Sequence, residues 1–450
     1  MNGTVDLTKG SILKNLLRFS LPYLLSCFLQ TFYGLADLFV IGRFYGAGSI
    51  TGVSVGSQVM HMLTVVIMGL AMGTTVSISR AAGAGDEKQI RAAIGQTVRI
   101  FAVTAVILTA VLTAGTRLVV NILSTPPEAE SEAFRYLLIC FAGVPFVIAY
   151  NVLSAIFRGL GDTKTPLAIV ACAGVINIGL DFALVGGAHM GAAGAAAATV
   201  ASQAISVGLA LGYLMRSSRK LALSREDLGK NRPASSAILR VGVPVAVQDG
   251  CIQVGFLIIT VIANRRGVDA AAAVGIVEKL ISFLFLVPSA MLSSVSAIAA
   301  QNLGAGQPER ARKTLFAATA VTVAAGLFFV VLCHLWPEPI LRIFANEEET
   351  VIRMGADYLR SYVFDCAVAG IHFCFSGYFC ACEKSLLSFV HNFASIVLVR
   401  VPGAIWASAR FPESLYPMGW AAPAGSAFSA LFCVIVFLLW ERKKRQTAGE

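Results

Sequence analysis

Apolar residues along this chain come in long runs, near residues 13–42, 50–79, 93–121, 132–157, 166–187, 191–214, 237–263, 270–300, 313–336, 350–379, 386–408 and 418–440. Each is long enough for the roughly 20 residues that a helix needs to cross a bilayer. Polar residues gather between the runs. The pattern predicts an all-α polytopic membrane protein with twelve transmembrane helices. The longest connection, Met215 to Ser236, holds RSSRK, SREDLGK and Pro233 and divides the runs into six and six. It marks a six-helix lobe over 1–214, a linker over 215–236, a second lobe over 237–440 and a basic tail over 441–450.

The halves repeat. GAGDEKQIR begins at Gly83 and GAGQPERAR at Gly304, an offset of 221; Pro22 in SLPYLL matches Pro244 in VGVPVAV, and Phe157 matches Phe379, both at 222. Six spans per half is an even number, so both halves insert with the same orientation, related by an axis along the membrane normal. Two parallel bundles around a midplane cavity is a transporter plan.

Composition narrows the class further. Of the residues, 57% are hydrophobic and 13% charged, with a mean hydropathy of +0.76; soluble domains carry about 25% charged residues. A soluble enzyme, a disordered chain and a coiled coil are excluded. The formal net charge of +10 would suit nucleic acid, but the basic residues sit in clusters between apolar runs, as in cytoplasmic loops. No nucleic-acid partner is expected; the lipid bilayer is. When Lys and Arg at span ends are counted with the adjoining connection, 23 fall on the side of the N-terminus, nine on the other side and three (Arg99, Lys279, Arg400) inside spans. This bias predicts a multi-pass inner (cell) membrane protein with both termini and the central loop in the cytoplasm. The first apolar run is long enough to span, so it reads as a helix rather than a cleaved signal. The ten cysteines lie mostly inside apolar runs without a CxxC pair and read as reduced packing residues.

Charged groups inside spans are costly, roughly 2.5–3.5 kcal/mol each on insertion scales, and mark functional sites. Asp37 lies in QTFYGLADLFVIG of span 1. Asp181 lies in NIGLD of span 5, with Asn177 four residues earlier on the same helical face. Two carboxylates and an amide oxygen suit a proton or a hard cation such as Na⁺; interhelical packing bonds are the bland alternative. In the second half the deep acids are Asp249, Glu278 and Asp365, a candidate substrate cavity. The glycine-rich GAG and GLGDTKTP segments lack a GxxxxGK[ST] pattern and follow helices, so they read as turns and not as nucleotide sites. Without an ATPase, pumping must draw on an ion gradient. The five histidines are scattered without HExxH or a nucleophile pattern, which argues against a membrane-embedded enzyme.

QTFYGLADLFVIGRFYG, the paired GAG turns, FRGLGDTKTP after span 4 and NIGLD in span 5 together resemble the multidrug and toxic compound extrusion (MATE) family over nearly the whole chain. The resemblance implies a V of two six-helix lobes and export of organic cations or other amphipathic drugs in exchange for H⁺ or Na⁺, by alternating access. It implies no cofactor beyond the coupling ion, no catalytic residue, and function as a monomer. In the DinF-like and archaeal branch the cation site takes an Asp from helix 1, an Asn and an Asp four apart in helix 5, and a Thr in helix 6. These match Asp37, Asn177, Asp181 and Thr199, and that branch's helix 1 proline matches Pro22, a place for the helix to bend. The NorM-like branch instead carries acids in helices 7 and 10, which fall here on Ile252 and Ala369, with Asp249 and Asp365 about one turn away.

Two rivals share parts of this plan. A lipid-linked saccharide flippase of the same superfamily would line its cavity with several Arg and Lys; here five span acids face three span bases, which favours cationic cargo. A passive channel would not need the paired acids of the first half.

Overall fold

The computed structural model describes residues 6–123, 125–216, 226–343 and 348–448; the middle of the expected linker and the last two residues of the tail lie outside them. Among the described residues there are helices and no strands. Eleven helices are long and apolar enough to cross a membrane, and one bent pair makes a twelfth span. They are α1 Ile12–Phe44, α2 Ala47–Ala84, α3 Glu87–Ala114, α4 Pro127–Ala142 with Val144–Gly159, α5 Lys164–Gly187 and α6 Gly191–Arg216. The second half holds α7 Arg232–Asn264, α8 Val268–Gly304, α9 Pro308–Leu335, α10 Glu349–Ala381, α11 Ser385–Arg410 and α12 Tyr416–Lys443. Shifted by 222 residues, the bounds of α4 become those of α10.

The helices break where proline interrupts an apolar run. α4 bends by 51° at Gly143, just before Pro145, and α8 breaks at Phe285 ahead of Pro288. Proline lacks the amide proton and crowds the preceding turn. Pro22 and its counterpart Pro244 are exceptions, because α1 and α7 each run through the proline as one 33-residue helix. The fifth span of each half also carries a π-helical turn, Phe182–Gly187 in α5 and Ile396–Arg400 in α11.

Two compact units divide the chain, with the main division inside α7 between Ala246 and Val247; Ser11–Leu16 groups with the second unit and Gly304–Gly306 with the first. In the first unit, α2, α3 and α4 share a core of Ile67, Ile78, Ile94, Leu137, Phe141 and Ile148. Val40 and Ile41 of α1 join Val185 of α5 and the small Ala192, Ala195 and Ala196 of α6 in a second core. The start of α7 meets α2 backbone to backbone, since a Cβ on Gly73 would lie 3.0 Å from the Gly242 nitrogen. The second unit packs Val277 and Ile281 of α8 against Leu359 and Val363 of α10 and Ala404 of α11. Large apolar residues remain on the outside, among them Phe39, Val175, Leu398 and Trp406. This is inverted for water and natural for lipid.

Candidate functional site

The small residues of the first unit bring three helices together. Gly191 through Ala198 of α6 read GAAGAAAA, and such side chains let helix backbones approach closely in a membrane. Gly174 does the same for α5, because the Tyr33 ring of α1 occupies the space a Cβ would need, and the Tyr33 hydroxyl donates to the Val170 carbonyl. The Glu132 carboxylate of α4 accepts from the Ala192 amide at 3.1 Å and so caps the start of α6, where Gly191 takes a left-handed φ of 59°.

Asp37, Asn177, Asp181 and Thr199 meet in this pocket. The Thr199 hydroxyl lies 3.0 Å from Asp37 Oδ2 and 3.1 Å from the Ala195 carbonyl, with one proton to donate. Asn177 and Asp181 approach the Asp37 carboxyl closely enough to interact with it. Asp37, Asn177 and Asp181 are 4%, 2% and 0% exposed. Among the described residues, Asp37 Oδ1, both Asp181 oxygens, Asn177 Oδ1 and the single donor Asn177 Nδ2 are buried without a hydrogen-bond partner. Most buried polar atoms in proteins are paired, and each unpaired one costs about 1–3 kcal/mol. Four such oxygens in one pocket form an acceptor-rich set that a proton or a hard cation would satisfy. The π-helical turn begins at the residue after Asp181; such turns recur at functional sites because they re-aim the helix locally. Tyr136 and Cys140 of α4 form a wall that faces Asp37.

A second feature, near Pro22, is one that no sequence pattern announces. Arg158, at the end of α4, is 5% exposed. Its Nη1 donates to Ser154 Oγ at 2.8 Å, and its guanidinium lies 4.9 Å from the ring centre of Tyr23 on α1. Pro22 itself accepts a bond from Ser26 Oγ at 2.9 Å through its carbonyl.

The three acids of the second unit do not form one cluster. Asp249 is half-buried on α7 beside Cys380 of α10, and forms no ion pair among the described residues. Glu278 on α8 accepts from Thr260 Oγ1 at 3.1 Å, and its Oε1 is buried without a donor. Asp365 departs from the expectation of a free cavity acid. Arg400 of α11 donates Nη2 to its Oδ2 at 2.6 Å and to Ser426 Oγ at 3.1 Å. The charge of Asp365 is therefore already matched by the basic residue 35 positions away, a pairing that no helical spacing reveals. The structure also brings together two of the scattered histidines: His372 and His391 have ring centres 5.5 Å apart, each with Nε2 on a serine, Ser426 and Ser376. Ile252 lines a cleft of this unit, and Ala369 is fully buried.

Twelve apolar spans in two repeated halves, with acids sealed inside a small-residue bundle, define a multi-pass membrane protein. The MatE family model matches the chain twice, over residues 22–183 and 244–406. The chain belongs to the MatE family. It is 29% identical over 397 residues to the "Probable multidrug resistance protein YpnP" of Bacillus subtilis (strain 168), covering 88% of each chain. It is also 29% identical over 345 residues to the "Probable multidrug resistance protein NorM" of Thermotoga maritima, covering 76% of this chain and 74% of that one. A crystal structure of MATE in the bent conformation superposes with a TM-score of 0.91 at 19% identity, over 99% of this chain and all of the other. The fold is thus that of MATE transporters.

Proposed function

We propose that the protein is a cation-coupled antiporter that exports organic cations and other amphipathic drugs, with its coupling site at Asp37, Asn177, Asp181 and Thr199. The observation that carries this reading is the set of four donorless buried oxygens in one pocket. Two carboxylates in a low-dielectric bundle repel each other, and an H⁺ or a Na⁺ relieves that repulsion while pairing the stranded oxygens. Asn177 and Thr199 supply neutral ligands. Occupied and unoccupied sites then favour different packings of α1 against α5 and α6, and Pro22 gives α1 a point at which to bend. Ion and cargo exchange because each favours a different packing. Drug cargo is supported by the relatives that bear multidrug resistance names. Asp249 and Glu278 provide carboxylates for cationic cargo, whereas Asp365 is held by Arg400. The termini and central loop lie in the cytoplasm on this reading, by the excess of basic residues on that side.

The test is efflux of a fluorescent organic cation from proteoliposomes under separately imposed Na⁺ and H⁺ gradients. Acceleration by one gradient, with the ion moving opposite to the dye, is the expected result. Efflux indifferent to both gradients overturns the antiport reading.

A further inference from the structure

We propose that a cleft in the second unit, at Arg400, Tyr358 and Tyr362, binds the anionic group of an amphipathic aromatic cargo. The inference builds on the reading of the protein as a small-molecule transporter. It adds a class of ligand that a count of span acids would not suggest.

Among the described residues Arg400 is the one charged residue that lines the cleft; the apolar wall includes Ile252, Phe256 and Met418. Its counter-ion Asp365 is 0% exposed and takes no part in the lining. The ion pair is therefore polarised, with the cation toward the cleft and the anion behind it. An Arg offers five N–H donors in a fork that suits carboxylate and phosphate. Only Nη2 is used, on Asp365 and Ser426; Nη1 and Nε have no protein acceptor among the described residues. The Tyr358 and Tyr362 hydroxyls likewise have no hydrogen-bond partner there, and neither is among the polar atoms sealed from solvent. The two rings stand edge to face at 5.4 Å and are 2% and 3% exposed, so they offer the head group their hydroxyls, while an aromatic body outside the cleft packs on the half-buried Phe256 and Ile259 of its wall.

Two local features hold the guanidinium in place. Arg400 ends the π-helical turn of α11, a deformation that recurs at functional sites. Gly425 of α12 leaves room for its stem, since a Cβ there would lie 3.1 Å from Arg400 Nε and 2.8 Å from Ser395 Oγ. The clear space in the cleft is about 20 Å³, enough for a water-sized group. It admits the head of a ligand and not its body.

The test uses purified full-length protein without any ion gradient, so that a failure of coupling and a failure of this site are distinguishable. Binding of 1-pyrenebutyrate and of 1-pyrenemethylammonium, one fluorophore with opposite head charges, is followed by anisotropy in gluconate and in chloride buffers. The paired variant Asp365→Asn/Arg400→Gln removes both charges together and leaves no lone buried ion. It is expected to weaken pyrenebutyrate binding at least tenfold and the ammonium probe less than twofold. Tyr358→Phe/Tyr362→Phe keeps the ion pair and the rings and is expected to weaken the anion three- to tenfold, which decides the matter if the first variant does not fold. Equal effects on the two probes, or none, overturn the proposal. A tenfold weakening of pyrenebutyrate when chloride replaces gluconate would assign the cleft to a free inorganic anion and overturn the cargo role.

Discussion

Gly174→Ala tests whether the approach of α1 to α5 is what builds the site. By helix propensity alone the change should stabilise, by about 1 kcal/mol. Crowding against Tyr33 opposes that gain and outweighs it. The new Cβ would fall within the Tyr33 ring and 2.6 Å from its hydroxyl, so the ring must move by about an ångström or more. Overpacking of this kind costs roughly 1–3 kcal/mol. Loss of the hydrogen bond from Tyr33 to Val170 adds about 1 kcal/mol. The net is a destabilisation of about 1–3 kcal/mol. The functional effect should be greater, because Tyr33 sits one turn before Asp37 and Gly174 three residues before Asn177. Separation of the helices there spreads the acceptor set. We expect a lower unfolding midpoint in detergent and gradient-driven efflux reduced at least fivefold. Tyr33→Leu in the same chain should restore most of both by returning the space. Parental stability and efflux in Gly174→Ala would refute the reasoning, as would a double variant no better than the single one.

Other features yield further expectations. Gln96 of α3 is fully buried and holds the end of the linker, donating to the Gly229 carbonyl at 2.6 Å and accepting from Ser235 Oγ at 2.9 Å. Gln96→Leu should release that segment and speed tryptic cleavage after Lys230 at least fivefold; an unchanged rate would show that the segment is held by something else. Arg400→Gln alone strands the buried Asp365 carboxylate and should cost about 3–5 kcal/mol, whereas the paired neutral variant should unfold within about 1–2 kcal/mol of the parent. Equal unfolding midpoints for the single and paired variants would contradict that. A cysteine at the exposed Lys230 should react with an impermeant maleimide in inside-out vesicles only, and reaction in intact cells would reverse the topology.

The spans were legible because twenty apolar residues in a row have few other uses. Asp37 and Asp181 stood out because an acid inside such a run is rare. Less was visible where structure depends on residues far apart. The Arg400–Asp365 pair joins two helices across 35 positions, so counting acids against bases overstated the free negative charge of the second half. Arg158 looked like a loop residue because it follows an apolar run, yet Ser154 and Tyr23 draw it into the bundle. The π-helical turns leave no periodic trace, since one widened turn barely shifts the apolar pattern. Proline alone is no guide to a break either: Pro145 and Pro288 lie just past breaks, whereas Pro22 and Pro244 lie inside unbroken helices.

The central claim is that Asp37 belongs to the ion site that drives export. Asp37→Asn is nearly isosteric and still accepts from Thr199 through its amide oxygen, so a packing role leaves both fold and export intact. Efflux of a fluorescent cation is measured in proteoliposomes with Asp37→Asn protein of parental unfolding midpoint, under whichever gradient drives the parent. Cargo is expected to bind still, while the imposed gradient no longer accelerates efflux. Gradient-driven efflux at the parental rate would contradict it.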